Sequence, residues 1–312
     1  MRKTEIVQSL SDVIKEKLTP HITADYWLLE VPYYNNVGDV LIWQGELDFL
    51  SEFPYKCKGC FSFGSKCAPK LSDGDLILFQ GGGNFGDLWK EPHTYRKSIM
   101  AENPNCKYII FPQTVYYADK KNLIRDAEFF AQYDCILCAR DNISNDLLKK
   151  NFKNDVLLVP DMAFCMDMSK WAPVKKRISS KALVLRREDK EFKSSCELEK
   201  ITASLDADVV DWLPMKTYSF YDRLKSIILR HPKTLRFLYD RYMQNVYRRY
   251  LIQSGINQLD AYNEIYTTRL HACILSILLD KDQIVLFDNS YGKNRSFYDT
   301  WLSDCVNVEI MK

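Results

Sequence analysis

Apolar residues recur along this chain with two alternating periods. Residues 4–18 have helical spacing that stops before Pro20, and residues 26–31 form a compact apolar run that predicts a first buried strand. Val40, Leu41, Trp43, Leu47 and Leu50 then follow a helical pattern entered from the loop Tyr33-Tyr-Asn-Asn-Val-Gly-Asp39. Strands are predicted at 75–79, 108–111, 135–138 and 156–159, with helices at 119–132 and 141–151 between them. The strands are continuously apolar, as parallel strands covered on both faces should be. Around 169–180 the chain turns polar and aperiodic around Pro173, which marks a linker. The alternation then resumes, with strands at 182–185, 208–211, 264–267 and 283–287 and helices at 196–205, 269–279 and 294–302.

This pattern predicts an α/β protein of two Rossmann-like parallel-sheet domains facing one another, residues 1–168 and 169–312. In open sheets of this kind ligands bind beyond the carboxyl ends of the strands. The loops after Val31, Gln80, Leu185, Thr267 and Phe287 are therefore the places to look for chemistry.

One segment departs from the alternation. Residues 221–250 hold eight Lys or Arg against two Asp, with Leu, Ile, Phe and Tyr interleaved, in an insertion of about 218–253. It reads as two basic amphipathic helices broken near Pro232. A solvated helical hairpin is the simpler expectation; docking on an anionic membrane face or a lipid pyrophosphate is the sharper one.

The totals narrow the classes. An apolar content of 46% in 312 residues fills two cores, and a formal net charge of +2 gives no whole-chain attraction to nucleic acid. No apolar run follows the basic start Met1-Arg-Lys-Thr, so no secretory signal is expected; the ten cysteines read as reduced thiols and the compartment as cytoplasmic. The most apolar stretch, 272–279, falls well short of the roughly 20 residues a membrane-spanning helix requires.

Candidate chemistry collects at the strand ends. Arg269 and His271 fall in the first turn of the helix expected after residue 267, with Thr268 as its N-cap, where backbone N–H groups already favour an anion. Arg186 and Arg187 follow the strand at 182–185, and Lys293 and Arg295 follow the strand at 283–287. Guanidinium groups grip carboxylates or phosphates with paired bonds, and lysine adds a compact charge. Gly81, Gly83 and Gly86 formally satisfy a dinucleotide fingerprint, but no helix opens within them. An acceptor-binding loop that uses Asn84 and Asp87 is preferred over a ligand-free turn or a nicotinamide site. Cys57, Cys60 and Cys67 have spacing that can begin a zinc site, yet no fourth ligand follows and His93 is the nearest histidine, so no metal is assigned.

Taken in order, Asn36-Val-Gly-Asp39, Phe79-Gln-Gly-Gly-Gly-Asn-Phe-Gly-Asp87, Phe111-Pro-Gln-Thr114, Arg140-Asp141, Pro160-Asp161, Arg186 to Glu191, Thr268-Arg-Leu-His271 and Asp288-Asn-Ser-Tyr-Gly-Lys293 resemble the polysaccharide pyruvyl transferase family over about 33–302. The basic insertion and the Cys57 to Cys67 loop have no counterpart in that pattern. The resemblance implies a glycosyltransferase-like (GT-B-like) pair of domains, phosphoenolpyruvate as co-substrate without a further cofactor, and a saccharide acceptor, lipid-linked or polymeric. The product would be a cyclic pyruvate ketal of a surface or exopolysaccharide. On this reading His271 is the general acid, Arg269 and Lys293 hold phosphate, and Arg186 or Arg187, with Arg295 as a further candidate, holds the carboxylate. Asn36, Asp39, Asn84 and Asp87 would meet the acceptor, with Asp39 or Asp87 as its base, the alternative being that each aspartate caps a helix or turn. The rival readings are a nucleotide-sugar-dependent glycosyltransferase of the same build and a non-catalytic anion- or sugar-binding subunit. Membrane contact through 218–253 would place the enzyme peripherally on an inner face.

Overall fold

The computed structural model describes residues 3–63, 65, 69–171, 179–189, 191–192, 194–230 and 238–311, with side chains from Glu5 onward. Cys67, the break expected near Pro232 and most of the linker around 169–180 lie outside them. Two wholly parallel sheets organise the chain. In the first, β1 (Tyr26–Leu29), β2 (Cys57–Phe61), β3 (Leu76–Phe79), β5 (Lys107–Tyr116), β6 (Cys135–Ala139) and β7 (Val156–Leu158) lie in the order β2-β1-β3-β5-β6-β7, and β4 (Gly82–Gly86) pairs with β5 alone. In the second, β8 (Ala182–Leu185), β9 (Ala207–Val210), β10 (Glu264–Thr267), β11 (Gln283–Phe287) and β12 (Val308–Met311) lie in the order β12-β11-β10-β8-β9.

The chain forms two compact units that are interleaved in sequence. One comprises Leu10–Tyr33 and Ile42–Met166 and carries the seven-stranded sheet. The other comprises Met1–Ser9, Tyr34–Leu41 and Asp167–Lys312 and carries the five-stranded sheet. The segment 34–41, which holds Asn36 and Asp39, therefore groups with the second sheet. Each sheet buries its own core: Ile77, Phe79, Phe85, Ile110 and Phe130 in the first unit, Val184, Leu198, Val285 and Phe287 in the second.

Most expected elements are present, and the departures have identifiable causes. The glycine run expected as a loop includes strand β4, whose backbone lies so close to β5 that a Cβ at Gly86 would sit 1.9 Å from the Tyr116 carbonyl oxygen. Gly82 and Gly86 also have φ of 136° and 113°, which only glycine adopts readily. The cysteine-rich stretch expected as a loop supplies the edge strand β2. The helix Lys90–Glu102 was hidden because its inward face includes His93 and Arg96 beside Ile99 and Met100, which disguises the apolar period. The basic insertion supplies helix Phe220–Arg230 and, from Leu238, a helix that passes through a π-helical turn at Met243–Tyr247 into Arg248–Asp260. No helix among the described residues is long and apolar enough to cross a membrane.

Beyond the carboxyl ends of β1 and β3 lies a set of buried ionisable groups. Arg96 is fully buried and donates through Nε and Nη2 to Glu30 at 2.9 and 2.7 Å. Glu46, also fully buried, accepts the Gly81 N–H at 2.8 Å, and its other oxygen has no hydrogen-bond partner among the described residues. Burial, reinforced by the nearby charges of Asp161 and Glu30, raises the Glu46 carboxyl well above its ordinary value of 4.5. The unfolded chain ionises this group above that value, while the folded chain holds its proton to higher pH. Stability should therefore fall as pH rises past 4.5, by up to about 1.4 kcal/mol per pH unit for this group. Glu46→Gln keeps the shape and neutrality of the acid, so the urea midpoint should drop less between about pH 5.5 and about pH 7.5 in the variant than in the wild type.

Candidate functional site at the carboxyl edge of the second sheet

Strands β8 and β10 lie side by side, and the chain leaves them for opposite flanks, to β9 on one side and β11 on the other. Such a reversal opens a crevice at the carboxyl edge between the two strand ends. The loops that follow β8 and β10 are stitched together there. Thr267 Oγ1 donates to the Leu185 carbonyl at 2.8 Å and accepts the Arg269 N–H at 3.0 Å, while Thr268 Oγ1 accepts the Arg187 N–H at 2.9 Å. Both hydroxyls are thus engaged, which explains why Thr268 does not cap the following helix. That helix runs Leu270–Leu278, one residue later than expected, with Arg269 in extended conformation at the N-cap.

The cations meet through carboxylates. Arg269 is buried and paired with Asp211 at the end of β9, Nε to Oδ1 at 2.5 Å and Nη2 to Oδ2 at 2.7 Å, and its Nη2 lies 3.5 Å from Asp189. Arg187, equally buried, bonds Asp189 through Nε at 2.8 Å and Glu191 through Nη1 at 2.6 Å. Lys293 Nζ lies 3.6 Å from the same Glu191 oxygen, which also accepts from Tyr291 at 3.1 Å and Asn289 at 3.3 Å. Three cations and three carboxylates form one continuous network. Burial opposes ionisation of Glu191, but the Lys293 and Arg187 charges hold it well below the usual carboxylate range. Asp189 is likewise held low, against burial, by Arg187 and Arg269.

The other two arginines stand apart from this network. The guanidinium of Arg186 lies over the Phe192 ring, 5.7 Å from its centroid. Arg295 faces Asp299 at 3.9 Å and lines a hollow of about 610 Å³ with Glu197, Lys200, Ile201, Ile310 and Met311. Asp189, Asp211, Asn289 and Tyr291 were not singled out from sequence. The available signal was their position just beyond strands β8, β9 and β11.

His271 sits in the first turn of helix Leu270–Leu278, nine-tenths buried, and Gly38 packs closely against its ring. A Cβ at Gly38 would lie 2.6 Å from His271 Nδ1, so only glycine lets the 34–41 segment approach the imidazole this closely. The segment is fixed by its own side chains. Asn36 Oδ1 accepts the Gly38 N–H at 2.9 Å, and Asp39 Oδ2 accepts from Asn36 Nδ2 at 2.7 Å and from the Tyr34 hydroxyl at 2.8 Å. Asn36, Asp39, Arg187, Arg269, His271 and Lys293 all belong to the unit that carries the second sheet.

Asn84 and Asp87 belong to the other unit. Asp87 accepts the N–H groups of Ala118 and Asp119 at 2.8 and 3.0 Å and Asn122 Nδ2 at 3.1 Å, and these donors outweigh burial to keep it ionised. Its carboxylate organises the turn into helix Lys120–Phe130. Asn84 donates its backbone N–H to Gln113 at 3.0 Å. Thr114, Arg140, Asp141 and Asp161 form a buried lattice: Arg140 reaches Asp161 at 2.7 Å and Thr114 at 2.9 Å, and Thr114 donates to Asp141 at 3.0 Å. Among the described residues no cluster of three or more His, Cys, Asp or Glu is arranged to hold a metal.

With this geometry in view, comparison with known proteins places the chain. EpsO of Bacillus subtilis (strain 168), assigned as a pyruvyl transferase, is 31% identical over 98% of this chain and 92% of its own length. General stress protein 30 of the same organism is 27% identical, over 91% of this chain and 79% of its own. Pyruvyl transferase 1 of Schizosaccharomyces pombe is 29% identical over 74% of this chain and 55% of its own. The crystal structure of an uncharacterized Klebsiella pneumoniae protein superposes with a TM-score of 0.62 over 99% of this chain and 98% of that one; at 21% identity it speaks to the fold alone. Residues 36–290 match the polysaccharide pyruvyl transferase family, and to that family this chain belongs.

Proposed function

We propose that the chain transfers the enolpyruvyl group of phosphoenolpyruvate to two hydroxyls of a saccharide, forming a cyclic pyruvate ketal in polysaccharide biosynthesis. The observation that carries this reading is the convergence of Arg187, Arg269 and Lys293 through Asp189 and Glu191 at the reversal between β8 and β10. His271 stands two residues from Arg269 in the adjoining helical turn. A donor with both carboxylate and phosphate matches several cationic hydrogen-bond donors held in fixed directions. The cluster is charge-balanced by its own acids, so affinity would come from paired N–H donors and the helix N-terminus rather than from net charge.

The reaction then runs as follows. His271, as imidazolium, gives its proton to the methylene carbon, and the central carbon becomes electrophilic as its double bond is consumed. One acceptor hydroxyl adds to that carbon and loses its proton; phosphate leaves with the electrons of its C–O bond. The second hydroxyl adds, loses its proton and closes the ring, giving ketal and inorganic phosphate. Arg269 and Lys293 would follow the charge that moves onto phosphate, and Arg187 would hold the carboxylate. Asp39, fixed by Asn36 and Tyr34, is the candidate to receive a hydroxyl proton.

Two substitutions test this. His271→Ala should lower the rate of saccharide-dependent phosphate release from phosphoenolpyruvate by roughly 10²-fold or more while the donor still binds, measured by phosphate assay and calorimetry. Full activity in that variant would remove His271 from the chemistry, and release of nucleotide from a nucleotide sugar in place of phosphate would replace the reading with glycosyl transfer. Gly38→Ala, which sets a methyl group 2.6 Å from the imidazole Nδ1, should reduce turnover with little change in donor affinity, because it displaces the acid and leaves the arginines in place.

A further inference from the structure

Exposed apolar side chains are unevenly distributed over this molecule. Among the described residues, Leu213, Met215, Tyr218, Phe220, Ile227 and Leu229 are all at least 37% exposed within 17 residues of chain, and Tyr218 and Phe220 exceed 70%. Helix Phe220–Arg230 has no buried residue. It is anchored through its inward side: Tyr221 stacks on Tyr250 at 4.2 Å, Asp222 accepts from Ser219 and Tyr247, and Lys225 lies 4.7 Å from the Tyr247 ring centroid. The only acid of the helix is therefore turned inward. Phe220, Arg223, Ile227 and Arg230, spaced i, i+3, i+7 and i+10, form one outward stripe in which apolar groups alternate with guanidinium groups.

We propose that this stripe, with exposed Tyr218 bonded to the helix at Asp222 and Ser226, docks the protein onto the surface of an anionic lipid bilayer. An aliphatic group such as Ile227 adds nothing to phosphate contacts or base stacking, and because the one acid of the helix is engaged with Ser219 and Tyr247 the stripe suits a surface whose charge is uniformly anionic. Aromatic and aliphatic groups entering the acyl boundary while guanidinium groups meet lipid phosphates require this interleaved arrangement. The test needs no substrate, so its outcome is independent of the reaction proposed above. Full-length protein should sediment with vesicles of phosphatidylcholine containing phosphatidylglycerol, far less with phosphatidylcholine alone, and the binding should weaken as salt is raised. Arg223→Gln with Arg230→Gln should weaken it about tenfold or more, and Phe220→Ser with Ile227→Ser should weaken it in any salt. Equal sedimentation with neutral vesicles, no sedimentation, or self-association through the same residues in the absence of lipid would each overturn the proposal.

A second inference rests on a separate observation in β2. Cys57 pairs with Tyr26 and Cys60 with Leu28, while Gly59 pairs with Trp27, so Lys58 is bulged out of register. The bulge converts a three-residue spacing into two positions on one face of the strand. The two Sγ atoms lie 3.6 Å apart, neither is in a disulfide, and Cys57 is exposed. The Cys60 thiol, with the N–H groups of Gly59 and Leu28, holds Cys57 below its ordinary thiol range despite desolvation.

We infer that β2 carries a dithiol that closes reversibly by exchange with an oxidised low-molecular-weight disulfide. Cys57 thiolate attacks one sulfur of that disulfide and releases its thiolate; Cys60, losing its proton, attacks Cys57 Sγ and releases the second thiol. Two cysteines are oxidised and one small disulfide is reduced. Closure requires the sulfurs to approach by about 1.5 Å. Treated with oxidised glutathione, the full chain should lose two hydrogens in mass, with the link mapped to Cys57 and Cys60. Cys60→Ser should stop at a glutathione adduct on Cys57, and exposed Cys196 should form an adduct only. Cys57 reacting no faster than Cys196 without internal closure, or protection of the pair that a zinc chelator relieves, would overturn it.

Discussion

A buried guanidinium group cannot stand without a counter-charge, and the carboxyl edge of the second sheet is arranged around that constraint. Arg187 and Arg269 are each about 7% exposed, and each has two carboxylates within reach. Glu191 gathers Arg187, Lys293, Tyr291 and Asn289 on one oxygen. The acids do more than neutralise. Because each guanidinium is held at two points, its plane is fixed. The parallel order of the strands makes this possible, since it brings residues more than eighty positions apart to neighbouring strand ends.

The same constraint governs the first unit, with a different outcome. Arg96 is paired with Glu30 and Arg140 with Asp161, all deeply buried, and Thr114 and Asp141 complete the second lattice. These residues belong to motifs as recognisable in sequence as the Thr268 to His271 element. In the fold they brace strand ends and the start of helix Asn142–Asn151. Asp87 is similar, its carboxylate committed to the turn at Ala118 and Asp119. A motif records that residue types are required together; it does not distinguish a group that touches substrate from one that holds the frame.

Close approach of backbone is the second theme. Gly38 admits the His271 ring, and Gly86 admits the Tyr116 carbonyl. In both places a side chain would occupy space already taken. The first case positions a candidate catalytic group and the second a strand, and in sequence both appear only as a glycine beside polar residues.

The sequence by itself determined the alternation of strands and helices, the parallel character of both sheets and the cations after β8, β10 and β11. These follow from local periodicity and from the rule that such sheets carry their ligands at carboxyl edges. It could not separate Arg187 from Arg186, because adjacent residues at a strand end point in different directions: one enters the Asp189 and Glu191 network, the other lies over Phe192. Nor could it join segment 34–41 to the second sheet or find Asp211 as the partner of Arg269, 58 positions away. Strands β2 and β4 were hidden for a related reason: rich in cysteine and glycine, they lack an apolar run, and pairing with a neighbour completes each one. Local pattern fixes most of the strands and helices, whereas partners across the fold complete the rest and decide which charges meet, and that depends on strand order, which no local pattern contains.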